Sequence, residues 1–194
     1  HRDLHSFPTR RSSDLAASSE LLSWITDSMW EDARQNSDWV CADATGVLVQ
    51  EKKKCRRGHF WVVVAARDHV LYRYTPKHNG EVAADLLRGF KGYAHVDACS
   101  VYHELFRREP DLVEVGCWAH ARRKFFDALP TNRELALFGI GFIGLLYDAQ
   151  NVARDLDSGI IDAAVRAKHA RPILKKLFAW VEDEVTRQIG RAHV

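Results

Sequence analysis

The chain has 194 residues, of which 46% are hydrophobic and 28% are charged, and its formal net charge at pH 7 is only +2. This composition is typical of a folded globular protein and excludes the disordered and collagen-like classes. Because positive and negative charges nearly balance, any binding of nucleic acid must depend on local basic patches. The four cysteines form no CxxC pair and no secretory signal opens the chain, which favours a reduced, cytoplasmic protein.

Both ends of the chain look foreign to a fold. Residues 1–15 are polar and show no helix or strand period, residues 189–194 resemble them in kind, and the single methionine is Met29. We therefore expect an artefactual leader at 1–15 and an artefactual tail at 189–194, which flank an internal fragment of a longer protein. Apolar residues that begin at Leu21 predict a short amphipathic helix leading into the domain.

The next hundred residues alternate between strand and helix patterns. In chain order, strands are predicted at 39–49, 60–66, 70–74, 93–97 and 112–117, and helices at 79–89 and 101–109. The first strand is expected to bend or bulge near Gly46. Because parallel neighbours need a helical crossover of one hand, the fourth strand is expected beside the first. The predicted fold class is α/β, a five-stranded mixed sheet with flanking helices.

Two of these strands carry an aspartate directly after a run of apolar residues. Asp43 comes after Trp-Val-Cys-Ala, and Asp97 comes after Tyr-Ala-His-Val. An ionised carboxylate in such a setting is costly unless it is paired or binds a cation, so the two aspartates predict a shared metal site if their strands are neighbours. An aspartate at a strand end is also a common turn or cap residue, and this interpretation stays open.

After residue 131 the pattern is helical throughout. Two antiparallel helices are predicted, with a break near Ser158-Gly159, and Pro172 is expected to kink the second helix or begin a further segment. The longest apolar stretch, residues 135–147, is shorter than the about 20 residues that a membrane span needs, so no membrane role is expected.

Three further patterns in the chain are assigned no chemistry. The GxGxxG pattern at 139–144 lacks the preceding strand that a nucleotide cofactor site requires, so helix packing through small residues is the better explanation. Cys117 and His120 supply only two of the four ligands of a structural zinc site. The acidic run at 182–184 ends an amphipathic helix and is expected to be a solvated face.

The predicted strand order and the two aspartates resemble the ribonuclease H-like fold of the DDE transposases and integrases. The closer resemblance is to the insertion-sequence-66 transposase family. Ala42-Asp43-Ala44-Thr45 stands where the family has Ala-Asp-Glu-Thr, and Gly92-Tyr93, Asp97 and Tyr102 follow a second family motif. The stretch from 116 to 125, Gly-Cys-Trp-Ala-His-Ala-Arg-Arg-Lys-Phe, is similar to the family signature nearly unaltered. The resemblance runs from about residue 39 to residue 184.

This resemblance implies metal-dependent phosphoryl transfer that cuts and joins DNA. It implies that Asp43 binds or bridges both ions of a two-magnesium site and that Asp97 holds one of them. In the family a glutamate on a later helix completes the site, and this chain is expected to stop before that helix, so the fragment alone is expected to be inactive. The implied domains are a partial ribonuclease H-like core at 16–130 and a helical insertion region at 131–188.

The resemblance also implies partners. These are the DNA of transposon ends and target in a bacterial nucleoid and, through apolar surface in the insertion region, a second copy of the chain, with no nucleotide cofactor. Two basic clusters are predicted to contact phosphates, although such clusters are often only solvated surface charge. The first, in the predicted loop between the first two strands, contains Lys52, Lys53, Lys54, Arg56 and Arg57, and the second, on the helix after the fifth strand, contains Arg122, Arg123 and Lys124.

A second hypothesis is a nucleic-acid-binding or dimerisation module that keeps the ribonuclease H-like scaffold without catalysis. It is favoured by Ala44, where the family usually has glutamate, and by Gly46, where the family usually has proline. Likeness of fold alone cannot decide between the two hypotheses, because one fold carries many functions.

Overall fold

The fold is described from a computed structural model, which describes residues 10–51, 54–155 and 160–192. Contacts between residues divide the chain into two compact units, His1–Cys117 and Trp118–Val194. Each unit has its own secondary structure, and the two are described separately. The division of the sequence at residues 130 and 131 into a core and an insertion stays a prediction.

The first unit is a mixed sheet with helices on one side. Its elements in chain order are α1 (Arg10–Asn36), β1 (Trp39–Gln50), β2 (Cys55–Ala65), β3 (His69–Thr75), α2 (Gly80–Leu86), β4 (Gly92–Val96), a short 3-10 helix (Ser100–Tyr102), α3 (His103–Arg108) and β5 (Leu112–Gly116). The strand order is β3-β2-β1-β4-β5. β1, β2 and β3 form an antiparallel meander, whereas β4 is parallel to both β1 and β5. The predicted fold class is confirmed, including β4 beside β1, and the arrangement is consistent with a ribonuclease H-like sheet.

The core of this unit lies between one face of the sheet and its helices. Its largest fully buried side chains are Trp30, Trp61, Tyr102, Phe90, Leu87, Leu105, Val40, Val63 and Val96. Because side chains alternate along a strand, burial of Val40 and Ala42 in β1 directs Cys41 and Asp43 to the opposite face. On that second face Trp39 and Tyr93 remain exposed.

β1 is longer and more regular than the sequence predicts. It pairs with β2 without interruption down to Gln50 opposite Cys55, and Gly46 lies directly opposite His59. The predicted bulge at Gly46 is therefore wrong, because the β-branched residues Val47 and Val49 favour extended backbone and outweigh a single glycine.

The predicted loop between the first two strands is also shorter than expected. Arg56 and Arg57 belong to β2. The turn is closed by the Glu51 N–H, which donates to the Lys54 carbonyl oxygen at 2.9 Å. Lys52 and Lys53 lie outside the described residues.

α1 begins at Arg10, inside the segment that the sequence assigns to a leader. Its apolar residues Leu21 and Trp24 are exposed, at 76% and 78%, so the predicted amphipathic face is not packed in the structure. Only the end of the helix joins the core, through Trp30 and Ala33. The artefactual origin of residues 1–15 stays a prediction.

The second unit contains three helices, α4 (Trp118–Ala128), α5 (Arg133–Val152) and α6 (Ala163–Ala192). α5 packs against both α4 and α6, and the last two are the helices predicted after residue 131. Pro172 lies inside α6 and does not begin a separate helix. The predicted break at Ser158-Gly159 lies outside the described residues.

The GxGxxG pattern lies within α5, where no strand precedes it. A Cβ atom at Gly139 would lie 2.4 Å from the ring of Phe125, so this glycine lets α4 approach α5 closely, as the helix-packing interpretation predicts. A Cβ at Gly141 or Gly144 would meet no described atom within 4 Å, so these two glycines have no packing role there.

α5 could cross a membrane by length and composition alone, because it extends the predicted apolar stretch to 20 residues. The core helix of a folded domain meets the same criterion.

A pair of aspartates as candidate metal centre

Asp43 and Asp97 lie at the same level of neighbouring strands. β1 and β4 pair in parallel, with Cys41 opposite His95, an offset of 54 residues. The same offset two residues further along places Asp43 opposite Asp97, which directly follows the last residue of β4. Since neighbouring strands are about 4.8 Å apart, the backbone of the sheet brings the two aspartates side by side, as the sequence predicts.

The side chains next to the pair identify the sheet face. The Cys41 Sγ lies 3.6 Å from the His95 Nδ1 on the face that α1, α2 and α3 leave uncovered. Asp43 follows Cys41 by two residues and therefore shares this face, where it is exposed. The site is thus open on the side away from the core.

A buried phenol lies within electrostatic reach of both carboxylates. Tyr102 is only 1% exposed, and its hydroxyl donates to the carbonyl oxygen of Ala42 at 3.4 Å, one residue before Asp43. Burial raises the pKa of Tyr102 well above its usual value of 10, and the negative charges of Asp97 and Asp43 raise this pKa further. Both carboxylates therefore act on the pKa of the same hydroxyl.

A hydrogen bond from a nearby backbone N–H orients each aspartate. The Asp97 Oδ1 accepts from the N–H of Cys99 at 3.0 Å, across Ala98, whose φ is 58°. The Asp43 Oδ1 accepts from the N–H of Ala44 at 2.8 Å. The turn-residue interpretation therefore applies to Asp97, and this turn also holds its carboxylate at the end of β4.

The donor set of the pair fits magnesium. Carboxylate oxygens suit this hard cation, which usually takes one or two carboxylates from a protein and keeps several waters. The neighbouring thiol of Cys41 is a poor competitor, because burial raises its pKa and keeps it protonated. Within the described residues, no three His, Cys, Asp or Glu side chains gather as metal ligands. The pair offers two candidate protein ligands, and the position of a third acidic residue stays a prediction.

The described residues of the first basic cluster lie at the tip of a β-ribbon. β3 pairs with β2 only as far as His59 opposite Thr75, and beyond this level β1 and β2 continue alone to the turn. Arg57 and Lys54 are exposed there. The guanidinium of Arg56 forms an ion pair with Glu51 at 2.9 Å, which partly neutralises the tip.

The second basic cluster lies on α4 in the second unit. Arg122, Arg123 and Lys124 are all exposed. The Arg122 guanidinium lies 5.0 Å from the centre of the Phe126 ring. Because consecutive helix residues point in different directions, these three side chains spread around the helix and do not form one contact point.

Comparison with known proteins identifies the family of this chain. A model of the transposase IS66 family matches residues 12–193. The chain belongs to the IS66 transposase family. It is also 26% identical over 170 residues to the uncharacterized protein y4qI of Sinorhizobium fredii (strain NBRC 101917 / NGR234), across 79% of this chain and 31% of that relative. The IS66 chain therefore spans about a third of the length of the curated relative it matches.

Sequence patterns alone do not predict some features of this IS66 site. Tyr102 belongs to the second motif, but only the fold shows that its hydroxyl lies under the aspartate pair. The contact between Cys41 and His95 joins two strands and has no local signal in the sequence.

The acidic run at 182–184 lies on α6, in the second unit. There Asp183 forms an ion pair with Arg187 at 2.5 Å.

Proposed function

We propose that this chain is part of the catalytic domain of a DDE transposase, in which Asp43 and Asp97 hold magnesium for phosphoryl transfer on DNA. The observation that carries the proposal is the parallel register of β1 and β4, which aligns the two carboxylates on neighbouring strands. Membership of the IS66 family supports it. The activity belongs to a longer parent protein, since the matched relative is about three times as long.

The chemistry follows from the donors. When bound, magnesium places positive charge beside the attacking and leaving oxygens of the phosphate and stabilises the charge that develops there. Asp43 would bind both ions and Asp97 would hold one of them. The short bonds to Ala44 and Cys99 fix the direction of the carboxylates, which limits the reorganisation that metal binding requires.

DNA is the proposed substrate, as the ends of a transposon and as target. Lys54 and Arg57 at the ribbon tip, Lys52 and Lys53 beside them in sequence, and the basic residues of α4 neutralise backbone phosphates. Arg56 contributes once a phosphate displaces Glu51. No nucleotide cofactor takes part, a second copy of the chain assembles with the first, and the complex works in the bacterial nucleoid.

The isolated chain is proposed to bind magnesium without cutting DNA, because within the described residues no third acidic side chain joins the two aspartates. Strand transfer by purified residues 16–188 in the presence of magnesium would contradict this part of the proposal.

Magnesium titration followed by NMR or calorimetry tests the aspartate pair. Asp43→Asn and Asp97→Asn should each weaken magnesium binding about tenfold, the loss expected when one charged ligand is removed. Asp38→Asn is the matched control, because Asp38 is exposed one residue before β1 and should leave the affinity unchanged. Equal, weak affinity in all four proteins would favour the second candidate, a nucleic-acid-binding module without catalysis.

The ribbon tip has a separate test. Reversing two charges, in a Lys54→Glu Arg57→Glu variant, should flatten the plot of log affinity for duplex DNA against log salt by about 0.9 for each phosphate that the tip no longer neutralises. A Lys91→Glu Arg108→Glu variant changes the total charge equally at exposed positions away from the tip and serves as control. Identical slopes in both variants would remove the ribbon from the DNA interface.

A further inference from the structure

A second charged site lies on the helix-covered face of the sheet. A pocket of about 300 Å³ lies between α1, β3 and α2, and its lining includes Arg34, Arg73 and Asp85. Arg73 lies opposite Trp61, a buried residue of the core face, so the pocket is on the other side of the sheet from the aspartate pair. It is therefore independent of the proposed metal centre.

Both arginines of this pocket lie against the ring of one tryptophan. The Arg34 and Arg73 guanidiniums lie 5.4 Å and 5.5 Å from the centre of the Trp30 ring, which is only 2% exposed. The Arg34 Nε also donates to the carbonyl oxygen of Arg88 at 3.2 Å. A planar cation on an aromatic face loses much of its rotational freedom in advance, so less is lost when it binds a ligand.

The positive charge of this pocket is poorly compensated. No carboxylate within the described parts of the chain lies within ion-pair distance of Arg73, and the nearest partner of Arg34 is Glu31 at 3.9 Å. Asp85, the acidic residue of the lining, is ion-paired with Arg88. Both guanidiniums line the same pocket, so an anion that enters it is attracted by two positive charges.

We infer that the pocket binds a phosphate group between the guanidiniums of Arg34 and Arg73. Guanidinium groups match phosphate oxygens with paired, charge-assisted hydrogen bonds, and the volume leaves room for the remainder of a phosphate ester. The tetrahedral oxyanion is common to two sources, a DNA backbone phosphodiester and a free phosphate, and the experiment separates them.

Thermal unfolding in sodium phosphate, compared with sodium chloride of equal ionic strength, tests the oxyanion. Phosphate should raise the unfolding temperature of wild type and of Arg108→Gln, whose arginine pairs with Glu104 elsewhere, more than that of Arg73→Gln or Arg34→Gln. General stabilisation by phosphate acts on every variant and cancels in this comparison. Asp85→Asn should increase the rise, because it removes the negative charge from the lining.

Binding of a short DNA duplex, measured by fluorescence anisotropy, identifies the source. A loss of about tenfold in Arg73→Gln but not in Arg108→Gln assigns the pocket to backbone phosphate. A phosphate response in the unfolding experiment with unchanged duplex binding assigns it to a free phosphate. If Arg73→Gln and Arg108→Gln behave alike in both experiments, the inference is overturned. Arg73 is exposed, so its variant should fold, which circular dichroism verifies.

Discussion

Tyr102 links the core of the first unit to its candidate metal centre. The ring is buried against Trp61 at 6.3 Å between ring centres, while the hydroxyl reaches the backbone beside Asp43. Burial and two nearby carboxylates all disfavour the phenolate, so the side chain stays neutral where a charge would repel the aspartates. The residue therefore contributes to stability in a way that depends on pH.

The sign of that dependence is fixed by the raised pKa of Tyr102. The folded state holds the phenolic proton more tightly than the unfolded state, so the contribution is fully present below pH 10 and is lost as the pH rises above 10. Wild type should lose more stability between pH 9 and pH 11 than Tyr102→Phe, by urea denaturation. Tyr72→Phe, at an exposed position of β3, is the control and should follow wild type. Parallel losses in all three proteins would contradict the expectation.

At this scale the sequence identifies the aspartates but not the arginine pocket. Asp43 and Asp97 each end an apolar run, and rules for parallel strands are enough to bring them together. Arg34 and Arg73 lie on a helix and on an edge strand that follow no common pattern. Only packing against Trp30 shows that they meet.

Among the secondary structure elements, the start of β4 depends on one glycine. Gly92 has a φ of 83°, and a Cβ there would lie 2.0 Å from the carbonyl oxygen of Asp38. That same oxygen accepts from the N–H of Tyr93 at 3.0 Å, which begins the pairing of β4 with β1. Close approach of the two backbones at this point sets the register on which the aspartate pair depends.

Gly92→Ala should therefore lower the free energy of unfolding by about 3 kcal/mol, because it combines a backbone clash with strained φ. Gly116→Ala is the matched control, since a Cβ there meets no described atom within 4 Å, and it should change stability by about 0.5 kcal/mol or less. Urea denaturation followed by circular dichroism measures both. Similar unfolding midpoints for the two variants would show that Gly92 does not set the strand start.

The elements themselves show where local pattern fails. Arg56 and Arg57 look like loop residues because charges are rare in strands, yet pairing with Leu48 and Val49 extends the strand through them. In α5 the large side chains of Leu137 and Phe138 are about half exposed, whereas the buried stripe includes Ala136 and Gly139, because short side chains allow neighbouring helices to approach. Tertiary packing overrides propensity in both cases.

Across the whole molecule, the second unit leaves apolar surface uncovered. Leu137, Phe138 and Leu145 of α5 are about half exposed and line a shallow groove of about 400 Å³. Contiguous apolar surface of this kind favours association in water.

A Leu137→Lys Leu145→Lys variant should self-associate about thirtyfold more weakly than wild type, because covering each half-exposed leucine contributes about 1 kcal/mol. Sedimentation velocity at several concentrations measures the change. Val152→Lys, at an exposed apolar position near the end of the same helix, should associate like wild type. Equal association of all three proteins would place the contact elsewhere.

The uninterrupted course of β1 has a geometric consequence. Asp43 lies near the middle of this strand and Gln50 at its ribbon end, and seven residues of extended chain cover about 23 Å. The paired ribbon therefore separates the carboxylates from the basic tip by about this distance. A duplex that touches both the carboxylates and the basic tip would meet them at points about seven base pairs apart, at 3.4 Å per base pair.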